Sequence, residues 1–117
     1  MEAKGYGMTI EVAGDTVTVT ASNKAGKGAL GSETRSSALA TIDGVEWVEP
    51  TMLKNGSIRW VDPSGAVMFH FLKKHKDAAR DVFNVIAGTA PVVEGQIGVL
   101  DSSRKEAKTL AQNGLTQ

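Results

Sequence analysis

The side chains able to do chemistry in this sequence are few and scattered. The only histidines are His70 and His75. His70 lies between Phe69 and Phe71 in an alternating stretch, so on a strand it points away from both rings, toward a surface or rim. His75 lies in a basic loop. Two imidazoles without converging carboxylates do not make a metal site, and the absence of cysteine removes thiolate ligands and thiol nucleophiles. Glu46 and Glu49 resemble a carboxylate pair, but positions i and i+3 of a strand face opposite sides, which argues against joint acid–base work. None of the serines sits in a nucleophile-elbow pattern. No catalytic residue, metal or cofactor is expected.

The sharpest cluster is Lys73-Lys74-His75-Lys76, followed by Arg80. It immediately precedes a predicted helix, whose free backbone N–H groups and dipole favour anions. A phosphate, an acidic lipid headgroup or an acidic protein surface fits such a place. A solvated strand-to-helix loop explains the same residues without a ligand, and Asp77 and Asp81 oppose the positive charge. No aromatic residues interleave with the lysines, which argues against single-stranded nucleic acid. Gly26-Lys27-Gly28 suggests a phosphate cradle but lacks the Gly-Lys-Ser/Thr ending of a P-loop. Residues 21–32 are therefore expected to form a mobile loop. Trp47 and Trp60 are either core or interface anchors. Trp47 reads as core. Trp60 stays open: alternation sets it opposite Arg59 on the Ile58 face, the better core side, yet it is kept with Leu110 as an interface candidate.

The elements that must position these groups are mostly strands. Residues 8–12 and 16–20 alternate apolar and polar around a Gly14-Asp15 turn, predicting a hairpin with Ile10, Val12, Val17 and Val19 inward. A weakly signalled strand follows at 33–37. Val45-Glu-Trp-Val48 is a strand stopped by Pro50, Asn55-Gly56 is a turn, and Ser57-Ile-Arg-Trp-Val61 alternates strictly. Asp62-Pro-Ser-Gly65 is a further turn, leading to Ala66-Val-Met-Phe-His-Phe71, which is expected to bring Trp60 near Phe69 or its neighbours. The period then changes. Asp77 is an N-cap candidate, Ala79, Val82, Phe83 and Ile86 recur at helical spacing, and Gly88 ends the run. Beyond it, 92–93 and 97–100 suggest an edge strand, and Ser103-Arg-Lys-Glu106 opens a short, thinly striped helix to about residue 111.

At 117 residues, 41% of them hydrophobic, there is room for one ordinary core and a short tail. We read residues 1–90 as the domain and 91–117 as the tail. Net charge is zero, so nothing steers the whole chain toward nucleic acid or membrane. The charges are nonetheless uneven. The first fifty residues are mainly acidic, whereas Lys54, Arg59, Lys73, Lys74, Lys76 and Arg80 outweigh the acids of 51–90. No apolar run is long enough to span a bilayer and the N-terminus has no signal-peptide pattern, so a cytoplasmic location is expected.

The segments Gly44-Val-Glu-Trp47, Leu53-Lys-Asn-Gly-Ser-Ile-Arg-Trp60, an Asp-x-x-Gly turn, Val67-x-Phe-x-Phe71, and a helix with Phe83 and Ile86 inward carry a resemblance. Together they are similar to an actinobacterial domain of unknown function with a pleckstrin-homology-like fold, often found before a short C-terminal SHOCT segment. The resemblance covers roughly the first ninety residues, and the tail here is shorter than a full SHOCT segment. It implies a mainly β (α+β) fold: a strongly bent antiparallel sheet or open barrel capped by one C-terminal helix, plus a short helical tail. It further implies a non-catalytic interaction module that self-associates or binds a protein partner. The alternatives are an anionic-lipid or phospho-ligand binder using residues 73–80, and a small-molecule or nucleotide binder using the glycine-rich loop.

Overall fold

Alternation of branched residues builds the first sheet. The computed structural model describes residues 1–95, 97 and 101. Strands β1 (Glu2–Lys4), β2 (Met8–Ala13), β3 (Thr16–Ala21) and β4 (Thr34–Ala38) form an antiparallel sheet in chain order. The β2–β3 register sets Ile10 against Val19 and Val12 against Val17, and all four turn inward as the two-residue period requires. Strand β1 carried no clear sequence signal and is held by pairing Ala3 with Ile10.

The segment expected to be a mobile loop instead contains helix α1 (Lys24–Leu30). Asn23 caps it, accepting from the Gly26 N–H at 2.9 Å, and Gly31 closes it at φ 83°. Gly26 serves close approach here, since a Cβ would lie 1.7 Å from the Gly7 carbonyl oxygen.

The second sheet is a meander of β5 (Gly44–Val48), β6 (Gly56–Asp62) and β7 (Gly65–Phe71). Ile58 faces Phe69 and Trp60 faces Val67, so the expected hairpin forms. The two sheets bury Met8, Ile10, Val17, Val19, Val45, Ile58, Trp60, Val67, Phe69 and Phe71 between them, without closing into a barrel.

Helix α2 (Lys76–Ala87) covers this core with Ala79, Val82, Phe83 and Ile86, packing on β1, β2, β5 and β6. It begins earlier than the Asp77 cap would allow. A 3-10 turn, Lys73–His75, leads into it, and Asp77 lies in the first turn, where its charge suits the positive helix end. The chain then returns along β5. The Val45 N–H donates to Pro91 O at 2.9 Å and the Val93 N–H to Val45 O at 2.8 Å, reducing the expected edge strand at 92–93 to one parallel bridge. Ile97 is helical and buried, not extended. The predicted helix at 103–111, with Leu110, lies outside the described residues.

Candidate functional site

The most connected polar constellation is buried, and it joins the sheets. Trp60 Nε1 donates to Ser37 Oγ at 2.9 Å, and Ser37 Oγ donates to Asp62 Oδ2 at 2.5 Å. Arg35 grips Asp62 through Nη1 and Nη2 at 3.0 and 2.9 Å, and the Ser64 N–H adds 2.8 Å. Burial alone would raise the Asp62 carboxyl, but the donors from Arg35, Ser37 and Ser64 outweigh it and hold it below its ordinary 3.8. Both Asp62 oxygens, the Ser37 hydroxyl and the Trp60 N–H are engaged within the fold, so the set is a clamp between β4 and β6. Trp60, expected as an interface candidate, is 0% exposed. The correction follows from Ser37, which satisfies the indole N–H inside the core.

Glu46 and Glu49 are separated as expected. Glu46 is buried, pairs with Arg59 at 3.7 Å and accepts from the Gly95 N–H, whereas Glu49 is exposed. His70 is half-buried on β7, and burial, with the nearby Arg59, lowers its pKa below 6.5. Among the described residues, no three His, Cys, Asp or Glu side chains converge as a metal site would need.

The basic cluster divides. Lys76 pairs with Glu49, which also accepts from Trp47 Nε1 at 2.7 Å. Lys76 first, then Trp47, lowers the Glu49 carboxyl. The Arg80 guanidinium lies 4.9 Å from the Trp47 ring centre and 4.8 Å from that of Phe83, in cation–π range. Both cations therefore brace the junction between β5 and α2. His75 is half-buried, with Nδ1 enclosed and without a hydrogen-bond partner among the described residues. Lys73 and Lys74 stand in solvent.

These two lysines border a groove of about 390 Å³ whose other wall is loop 51–55, with Leu72 between them. Met52 is 90% and Leu53 96% exposed at the loop tip. The tip is braced. Thr51 Oγ1 accepts from the Leu53 and Lys54 N–H groups at 3.2 and 3.0 Å, and the Thr51 N–H donates to Lys54 O at 2.9 Å. At its base Gly56 fits closely, since a Cβ would lie 2.5 Å from the Phe71 ring. Among the described residues, no acidic residue lines the groove. Sequence reasoning passed over Met52 and gave Leu53 no site role, only a place in the segment that carries the resemblance. The available signal was two large apolar residues in a loop bounded by Pro50 and Asn55-Gly56, where no core periodicity claims them.

The glycine-rich segment offers a separate open hollow beside Thr20, Asn23 and Lys24. There Lys27 pairs with Glu33 at 3.5 Å, which opposes phosphate binding. Among the described residues no helix is long and apolar enough to cross a membrane. No family model, curated protein or solved structure matches this chain.

Proposed function

We propose that this domain is a non-catalytic binding module whose working surface is the groove between loop 51–55 and turn Lys73–His75, and whose partner is anionic. The observation that carries this reading is a set of cations that no ion pair engages among the described residues. Lys54, Lys73 and Lys74 are all exposed around one groove that, among the described residues, has no acidic residue in its lining. Each lysine near an anionic surface contributes about 1 kcal/mol, an effect weakened by salt. Lys76 is engaged by Glu49 and Arg80 by the Trp47 and Phe83 rings, so the ligand-facing set is smaller than residues 73–80 and gains Lys54. The resemblance to pleckstrin-homology-like domains supports a binding role. Self-association loses the support it drew from Trp60, which is enclosed.

Retention on a heparin column tests the charge reading. The wild-type chain should be retained at low salt and released as salt rises. A Lys54→Gln/Lys73→Gln/Lys74→Gln variant should elute markedly earlier, and a Lys24→Gln/Lys27→Gln control should not. Because net charge is zero, retention would report local charge. Equal elution of the wild type and the triple variant overturns the reading.

A further inference from the structure

We infer that the anionic partner is a lipid bilayer, and that Met52 and Leu53 enter its surface while Lys54, Lys73 and Lys74 contact the headgroups. This rests on the basic surface proposed above and names its partner. Met52 and Leu53 are the one adjacent pair among the exposed large apolar residues described. Isolated exposed apolar residues are ordinary, but a contiguous apolar tip ringed by cations is a contact site. The loop projects the pair and does not fold it back, and the Thr51 hydrogen bonds already order the backbone that presents it. Little conformational entropy then remains to be lost on docking.

Size and charge decide the occupant. Two side chains fall far short of the roughly 800 Å² per partner that a stable protein interface needs. Transfer of two large apolar side chains into a lipid interface is by contrast substantial. A free phosphate would use the lysines and leave the apolar tip idle. Lysine stems can lie along the bilayer boundary with their ammonium groups among the phosphates, which accounts for cations and apolar residues sharing one groove. Insertion is shallow, by side chains of a loop, and needs no spanning segment.

The chain has no cysteine, so Leu53→Cys gives a single attachment point for an environment-sensitive fluorophore. With vesicles of phosphatidylcholine and phosphatidylglycerol, the label at 53 should shift to the blue, and a label at Ala40→Cys should not. Vesicles of phosphatidylcholine alone should give little shift, and excess inorganic phosphate should not mimic the anionic vesicles. In co-sedimentation, Met52→Ser/Leu53→Ser should lower partitioning at least about tenfold while heparin retention and melting temperature hold. If heparin is retained through the three lysines but the label at 53 stays aqueous, or the serine variant partitions like the wild type, the membrane inference fails alone. If the lysine variant binds heparin like the wild type, the underlying charge reading fails.

Discussion

Replacing Asp62 by Ala should unfold the clamp between the sheets at a cost set by what it strands. Asp62 is 3% exposed and accepts from Arg35, Ser37 and Ser64. Its removal leaves the Arg35 guanidinium, with a side chain only 22% exposed, facing no carboxylate. Removing one member of a buried pair costs about 3–5 kcal/mol. Arg35 keeps part of its hydration, so the lower end, about 3 kcal/mol, is expected. Urea unfolding measures this through the shift in midpoint at constant slope. The Asp62→Ala/Arg35→Met variant should recover part of the loss, because no charge is then left alone. The coupling in the double-mutant cycle should be about 1–3 kcal/mol.

The same clamp carries a pH signature. Folding lowers the Asp62 pKa below 3.8, so the folded state binds that proton more weakly than the unfolded chain. The stabilisation is complete well above pH 3.8 and is lost as pH falls below it through the folded value. The gap between wild type and Asp62→Ala should therefore be constant near neutrality and shrink in acid. A cost under about 1 kcal/mol, additivity with Arg35→Met, or a gap unchanged in acid would refute the argument.

His70 predicts a different window. Burial, then Arg59, holds its folded pKa below 6.5, so the unfolded chain takes the proton first and wild-type stability should decline as pH falls below 6.5. His70→Gln should flatten that decline in urea midpoints taken from neutral pH downward, and an unchanged slope would count against it. Gly5→Ala should destabilise by about 1–3 kcal/mol, since its Cβ would lie 2.2 Å from the His70 carbonyl oxygen, which also accepts from the Tyr6 N–H. Gly28→Ala, with open space at its Cβ, should be neutral or stabilising by up to about 1 kcal/mol. Equal melting shifts for the two would remove the steric argument.

Where a local period controls structure, the sequence was readable. The β2–β3 and β6–β7 hairpins follow from alternation, and α2 follows from its apolar stripe. Helix α1 was not, because three glycines in and beside it suggested freedom. Its actual determinants are Asn23 and Gly31 at the ends, and the backbone of Gly7 pressed against Gly26. Trp60 illustrates the same limit. Alternation placed it on the Ile58 face, but only the fold brings Ser37 under its N–H, from a strand whose polar residues gave little signal. The lysine run at 73–76 was visible, whereas its division into braced and free cations was not. Glu49 and Trp47 make that division, and they reach Lys76 and Arg80 only because α2 docks on β5.

Topology explains why the groove has the walls it has. In the β5-β6-β7 meander Val48 pairs with Ser57, and Ser57 with His70. The end of β5, the start of β6 and the end of β7 thus share one end of the sheet. Loop 51–55 must emerge there, and so must the turn at Lys73–His75. Strand pairing brings the apolar tip and the lysines together although about twenty residues separate them in the chain. The same pairing lets Glu49, just past β5, capture Lys76 at the start of α2, and lets Trp47 receive Arg80 one turn later. Two cations on the helix are thereby engaged by β5 and the residue just past it, while those on the loop and turn face solvent. That sorting leaves Met52 and Leu53 beside three lysines that no ion pair engages among the described residues, the surface proposed above for an anionic partner, so Glu49→Gln, which frees Lys76, should delay elution from heparin, and unchanged elution would count against it.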